Sequence, residues 1–338
     1  MQAFADRRAR LISTMGRGVA VIPTSPERVR NRDSHYPYRH DSYFYYLSGF
    51  AEPEAAVVLV AGDKPQALLF CREKDPEKEV WDGFRHGPAA AREAFRFDAA
   101  FPIGSLDEKL SELLAGQPVL HYSMGHDADW DDRLVAALNR VRADVRSGAH
   151  APAEIRDVRV DLDEMRLVKD TREIADMRRA ADISAAAHRR AMRATAPGRF
   201  EYEIEAELAH EFRRCGAQAP AYSPIVAGGA NACMGTIGAG EIDRHGNVNS
   251  TRTATGEFLV GSGGANDIVT SAAETVVVAV QRAQTFVERV SYVTSPGTKV
   301  RCVISTMGRF EKRGGDELVL TGYFAAMGRD RAQAVAAI

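Results

Sequence analysis

The sequence predicts an α/β protein built from three consecutive segments. Three observations lead to this class: the length of the chain, the alternation of short apolar runs with helical patterns, and a change of composition near Ala232. The chain has 338 residues, which exceeds the roughly 250 residues at which a single hydrophobic core stops growing. We therefore predict segments at residues 1–150, 151–233 and 234–338.

The first segment is predicted to contain strands packed against helices. Residues 1–16 have the pattern of a short amphipathic helix, and the apolar run at 18–23 ends in proline, as a buried strand can. Two further apolar runs separated by turn residues predict paired strands. The remaining predictions are a strand packed on both faces at Tyr43–Tyr46, the paired strands at 55–60 and 66–70, helices near 88–95, 105–115 and 129–142, and a polar linker at 146–152.

The second segment is predicted to be helical, and the third returns to strands. Between residues 161 and 196, apolar and small residues recur at steps of three and four, which predicts one helix of about 25 residues. Pro197 and Gly198 end that pattern, and a second helix is predicted at 201–214 before Gly216. Past Ala232, glycine-rich turns separate short strand-like runs. The apolar stripe of the long helix consists of Ile174, Met177, Ala181, Ser184 and His188.

Composition excludes several classes of protein. The formal net charge is -2, and no block of like charge is long enough to bind nucleic acid by counterion release. Four cysteines without a Cys-x-x-Cys pair argue against a disulfide framework and a structural zinc site. Neither a signal peptide nor a membrane span is apparent. We expect a cytoplasmic protein with no nucleic-acid and no membrane partner.

Three passages carry a resemblance to a known family. Residues 35–54, 72–88 and 164–181 each resemble the corresponding blocks of aminopeptidase P, the Xaa-Pro aminopeptidases of metallopeptidase family M24B. The resemblance implies a creatinase-like N-terminal domain over 1–150 and the opening helices of a pita-bread metallopeptidase domain over 151–233. It also implies a peptide substrate, removal of the residue that precedes proline, and self-association into a homo-oligomer.

The resemblance assigns a place to Trp81 and raises the question of a metal site. The resemblance leaves two alternatives for Trp81: a half-buried aromatic side chain that anchors its loop, or a contact with the substrate cleft of a neighbouring subunit. The family uses two divalent metal ions, typically manganese, held in the chain order Asp, Asp, His, Glu, Glu. After Cys233 the only histidine is His245, and only Asp243 precedes it.

Other acidic and imidazole side chains do not replace the missing ligands. On the two predicted helices the candidate side chains diverge around the helix axis, so we interpret them as a solvated surface. The sequence therefore predicts no metal site and no catalytic residue. The candidates considered are Asp182, His188, His210 and Glu211.

A second resemblance covers about 235–330. Residues 237–252, 259–273 and 290–297 resemble the small, B-type chain of glutaconate-type CoA-transferases, which makes the protein an apparent chimera. This resemblance implies a CoA thioester as ligand and a separate A subunit as partner. The turn containing Gly261, Gly263, Gly264 and Asn266 is expected either to bind an anion or CoA through backbone N–H groups, or only to relieve backbone strain.

Further residues of this segment are interpreted as parts of turns. Asp243 or Asn247 is expected to cap backbone groups of a turn in which Gly246 has a positive φ. Glu241 is interpreted as a carboxylate beside a turn, because it does not lie at the expected position of the transferase nucleophile.

Three functional hypotheses follow. The first is an Xaa-Pro aminopeptidase family member that is catalytically incomplete because its metal ligands are missing. The second is a CoA-transferase or CoA-thioester hydrolase component that needs an A subunit. The third is a non-enzymatic, recombined or mispredicted chain, in which the helices of the second segment lack the sheet that would cover their apolar faces.

Overall fold

A computed structural model describes residues 1–228 and 234–324. The chain divides into two compact units, Met1–Glu173 and Ile174–Ile338, and each is described by itself. The first unit contains helices α1 (Gln2–Met15), α2 (Ser42–Ser48), α3 (Pro76–Asp82), α4 (Gly87–Phe95), α5 (Leu106–Leu114), α6 (Ala128–Ala143) and α7 (Arg159–Leu167). Its strands are β1 (Gly18–Pro23), β2 (Val29–Asn31), β3 (Ser34–His35), β4 (Ala56–Ala61), β5 (Gln66–Cys71), β6 (Ala99–Pro102), β7 (Val119–His121) and β8 (Glu154–Arg156).

A six-stranded sheet in the order β6-β5-β4-β1-β7-β8 forms the centre of this unit. Strand β4 runs antiparallel to both of its neighbours, whereas β1, β7 and β8 are mutually parallel, as are β5 and β6. The central strands are apolar on both faces because helices cover both sides, as is usual for sheets with parallel strands. Helices α1, α2, α4 and α7 pack on one face, and α5 and α6 on the other.

The strands and helices predicted for this unit at 18–23, 55–60, 66–70, 88–95, 105–115 and 129–142 are confirmed within a few residues. The prediction of a strand at Tyr43–Tyr46 is wrong, because these residues lie in α2. The Asp41 side chain caps this helix by accepting a hydrogen bond from Phe44 N at 2.8 Å. Aromatic residues favour strands, but a local cap together with burial of Phe44 and Leu47 decides the conformation here.

The helical pattern between residues 161 and 196 is divided into two helices. A reciprocal cap begins the second one: Asp170 Oδ1 accepts from Glu173 N at 2.8 Å, and Glu173 Oε2 accepts from Asp170 N at 2.9 Å. That helix, α8 (Thr171–Ala194), has 24 residues. The structure divides at Glu173, later than the boundary predicted at 150, because β8 extends the first sheet and Leu162 of α7 joins its core.

The second unit holds most of α8, α9 (Glu201–Arg214), and a smaller sheet. The predicted helix at 201–214 is confirmed. A five-stranded sheet in the order β15-β14-β13-β12-β9 has its first three sequence strands parallel and the last two antiparallel. The other elements are β9 (Met234–Gly238), β10 (Glu241–Ile242), β11 (Val248–Asn249), α10 (Ala265–Ser271), β12 (Glu274–Ala279), β13 (Val300–Ser305), β14 (Gly308–Lys312) and β15 (Leu318–Tyr323).

The predicted apolar stripe of α8 is largely uncovered. Ile174 and Met177 are exposed, and the buried residues of this helix are Ala187 and Ala191. Amphipathic helices normally bury such a stripe against a sheet or another helix. Within the described residues, no helix is long and apolar enough to cross a membrane.

Candidate functional site: the Trp81 loop

Trp81 lies on a short helix that contributes no side chain to the core. Helix α3 begins at Pro76 after Asp75, whose side chain accepts a hydrogen bond from Lys78 N at 3.2 Å. The side chain of Trp81 is 87% exposed, and Val80 and Phe84 are 77% and 64% exposed. Three large apolar side chains are thus exposed within five residues, and exposed apolar surface of this kind is typical of interaction sites.

A cluster of charged residues, of which Arg72 and Arg85 are buried, attaches this loop to the domain. We call Glu52, Arg72, Lys74, Arg85 and His86 the loop anchor. Glu52 Oε1 accepts a hydrogen bond from His86 N at 2.9 Å and lies 2.5 Å from His86 Nδ1. Glu52 Oε2 lies 3.6 Å from an Arg72 guanidinium nitrogen and makes no hydrogen bond of its own.

The rest of the anchor holds the two ends of α3. Lys74 Nζ donates to Glu79 at 2.9 Å and to the Arg85 carbonyl at 2.8 Å, and it lies 4.0 Å from the ring centre of Phe84. Arg85 pairs with Asp82 at 2.6 Å. These contacts hold the segment around α3, and the exposed Trp81 side chain takes no part in them.

The exposure of Trp81 contradicts the alternative in which this side chain is half-buried. A half-buried aromatic anchor would contact the core, but in this chain ion pairs and His86 attach the loop while Trp81 stays exposed. Sequence reasoning missed Glu52 and His86. The sequence offered two signals for this contact. A carboxylate lies between the aromatic run and β4, and a histidine lies five residues after Trp81.

The candidate metal ligands do not converge. Asp182, His188 and His210 are exposed on their helices. The prediction that Glu211 is solvated is wrong: Glu211 is buried, and hydrogen bonds from Arg214 first, then Cys215, lower its pKa to about 2. In residues 1–228 and 234–324, no group of three or more His, Cys, Asp or Glu side chains could hold a metal ion. These residues therefore do not fit a dinuclear centre.

The glycine-rich turn at 261–266 is exposed and precedes a helix of 7 residues. Gly263 has φ +52°, a conformation that favours glycine, whereas a Cβ at Gly261 would meet no atom and one at Gly264 only Ile268 at 3.8 Å. Asn266 lies in the first turn of α10 and is exposed. The proposed anion or CoA contact of Gly261, Gly263, Gly264 and Asn266 stays a prediction.

The turn interpretation of Asp243 and Gly246 is confirmed. Asp243 is buried and accepts hydrogen bonds from His245 N and Asn247 N, both at 3.0 Å, and Gly246 has φ +76°. Glu241 Oε2 accepts from Asn249 Nδ2 and Ser291 Oγ, each at 2.8 Å. Both carboxylates therefore satisfy polar groups within the fold.

Two family models match the chain. The model of the aminopeptidase P N-terminal domain matches residues 4–121, and the model of metallopeptidase family M24 matches residues 175–295. These matches define the class of protein: a metallopeptidase-type chain with an aminopeptidase P N-terminal domain.

Individual relatives identify the family within that class. The Xaa-Pro aminopeptidase of Escherichia coli is 42% identical over 236 residues, which cover 69% of this chain and 54% of that protein. The Xaa-Pro aminopeptidase of Haemophilus influenzae is 39% identical over 235 residues. The chain belongs to the Xaa-Pro aminopeptidase family.

Solved structures agree with this assignment. Zinc-substituted E. coli aminopeptidase P in complex with product superposes with a TM-score of 0.67 at 42% identity, covering 69% of this chain and 53% of that one. Aminopeptidase PepP of Pseudomonas aeruginosa gives a TM-score of 0.66 at 45% identity, covering 68% and 52%. The N-terminal fold prediction is thus confirmed. The chain spans about half the length of the relatives it matches.

The comparisons correct the predicted junction at residue 233. The M24 match continues to residue 295, so the family resemblance is not limited to residues 1–233. The CoA-transferase resemblance over 235–330 finds no support in these comparisons. The CoA thioester and the A subunit that this resemblance implied are likewise without support.

Proposed function

We propose that the chain acts in Xaa-Pro peptide processing as an aminopeptidase P-type protein whose N-terminal domain presents Trp81 to a substrate cleft. We further propose that the described residues do not cleave the peptide bond on their own. The observation that supports the first part is the 87% exposure of Trp81 on a helix fixed by the loop anchor. An aromatic face held in this way can contact a peptide or a neighbouring subunit without first being ordered.

The absence of a fitting ligand set supports the second part. In this family, metal ions supply a hydroxide for attack on the scissile carbonyl. The described residues bring together no carboxylate and histidine group of the required size. Manganese as the metal and a cytoplasmic location stay predictions.

An activity assay tests the catalytic statement. The purified chain is incubated with manganese or zinc and a peptide whose second residue is proline, and release of the N-terminal residue is followed. The full-length E. coli relative serves as the positive control. We expect no release by this chain; metal-dependent release abolished by a chelator would refute catalytic incompleteness.

Tryptophan emission tests the statement about Trp81. The chain has two tryptophans, and Trp130→Phe leaves Trp81 as the only one. We expect red-shifted, quencher-accessible emission at low protein concentration, and a blue shift when a peptide or a second copy of the chain covers the side chain. Emission that neither proline-containing peptide nor rising protein concentration changes would contradict a role in contact.

A further inference from the structure

A cavity in the first unit lies apart from the Trp81 loop, at the ends of two parallel strands. It has a volume of about 180 Å³ and is bordered by residues that follow β1 and β7. Ligands of open α/β sheets bind at the carboxyl ends of strands. The volume is below the roughly 300–1,000 Å³ of pockets for drug-sized ligands, so an occupant must be small.

The floor and the walls of this cavity differ in chemistry. Ile22, Val158 and Leu162, which belong to one core cluster, provide an apolar floor. Thr24 is already bonded to Tyr38 at 2.6 Å, and Ser123 to Asp157 at 2.9 Å. Each hydroxyl is therefore already engaged with a side chain of the same unit.

Three charged side chains that border the cavity, Arg28, Asp41 and Asp127, form no ion pair among the described residues. The Arg28 guanidinium makes no ion pair or hydrogen bond within the described part of the chain. Asp41 and Asp127 each accept hydrogen bonds from backbone N–H groups, Asp41 from Phe44 N at 2.8 Å and Asp127 from Trp130 N at 3.2 Å. Neither carboxylate has an ion-pair partner among the described residues, so each retains its charge and a second oxygen for a ligand.

Arg159 does not alter this balance. It borders the same cavity but pairs with Asp157 at 2.6 Å, so its charge is already compensated. The uncompensated groups are therefore one cation, Arg28, and two anions, Asp41 and Asp127. A ligand with only a negative charge would meet two unpaired carboxylates, and a ligand with only a positive charge would leave Arg28 unpaired.

We propose that this cavity binds a free α-amino acid with an apolar side chain. The carboxylate of the ligand meets Arg28, its ammonium group meets Asp41 and Asp127, and its side chain lies on the apolar floor. Charge-assisted hydrogen bonds are stronger than neutral ones and favour this complementary arrangement. The site is independent of the Trp81 contact and of peptide cleavage.

Calorimetry with the full chain tests this proposal, with L-leucine as the probe. We expect saturable binding of L-leucine at millimolar concentration or below, and binding at least about tenfold weaker for N-acetyl-L-leucine and for L-leucine amide, since each lacks one charge. Absence of saturable leucine binding, or equal binding of either analogue, would overturn the proposal.

Two substitutions with matched controls locate the site. Asp127→Asn keeps the helix cap, because asparagine also accepts from backbone N–H groups, and Arg28→Gln removes the charge while keeping a polar side chain. Both should weaken leucine binding by about tenfold or more. The controls, Asp129→Asn and Arg30→Gln, remove the same charges at neighbouring positions that do not border the cavity. Equal effects of site and control substitutions would show that the assigned residues are wrong.

Discussion

Replacing Glu52 by glutamine should loosen the support of the Trp81 helix. Glutamine keeps an oxygen that can accept from His86 N, but it removes the negative charge beside Arg72. At 3.6 Å and an effective dielectric constant of about 20, two unit charges attract by about 4.6 kcal/mol. Part of this is offset by desolvation, and loss of one partner of a buried pair typically costs about 3–5 kcal/mol. We expect Glu52→Gln to lower the free energy of unfolding by about 3 kcal/mol.

Urea unfolding followed by tryptophan emission measures this effect. Trp81 and Trp130 both lie in the first unit, so their emission reports the unfolding of that unit. With a denaturant slope of about 2 kcal/mol per molar, the midpoint should fall by about 1.5 M urea. Glu54→Gln, at an exposed position two residues along, is the control and should change stability by less than about 0.5 kcal/mol. Equal midpoints for the two variants would refute the loop anchor as a stabilising cluster.

Three other predictions concern the second unit, the response to acid and the division of the chain. Gly297→Ala should destabilise the second unit by more than about 2 kcal/mol, because its Cβ would lie 2.1 Å from the His245 carbonyl oxygen, whereas Gly261→Ala meets no atom; circular dichroism during thermal unfolding compares the two. The pKa of Glu211 is lowered to about 2 by Arg214, so its stabilising contribution is present above pH 4.5 and lost as the pH falls towards about 2. Glu211→Gln should remove that part of the acid transition, and an unchanged acid titration would contradict it. Limited proteolysis should leave a resistant fragment ending near Glu173 rather than near residue 150; a fragment ending near 150 would show that β8 and α7 are not part of the stable unit.

Much of the fold follows from local patterns, whereas the supports of the candidate site do not. The apolar run at 18–23 is recognisable as a strand because the fold buries its apolar residues. The helix at 201–214 is recognisable because its periodic pattern ends where the helix ends. The aromatic run at 43–46 misled, since its residue types favour strands while Asp41 caps a helix. The sequence did contain a signal for this helix, namely Asp41, which precedes Phe44 by three residues.

The residues around Trp81 show the limit of sequence reasoning. Glu52 and His86 are 34 residues apart, and only the β4–β5 pairing brings them together. Glu211 was interpreted as solvated because isolated charged residues usually are, but it is buried and forms ion pairs with the more exposed Arg190 and Arg214. Partners that are distant in sequence, or supplied by a second helix, carry no local pattern.

The reversed direction of β4 places two features of the first unit on the same rim of its sheet. Since β4 alone runs against its neighbours, β5 and β1 finish at one rim of the sheet, and the Trp81 loop therefore starts on the rim that holds the amino-acid cavity. Strands are spaced about 4.8 Å apart, so only about 10 Å of sheet width separates their starting points. Tyr38 interacts with both features: burial raises the pKa of its hydroxyl, and Thr24 at the cavity and Arg72 of the loop anchor both oppose that rise.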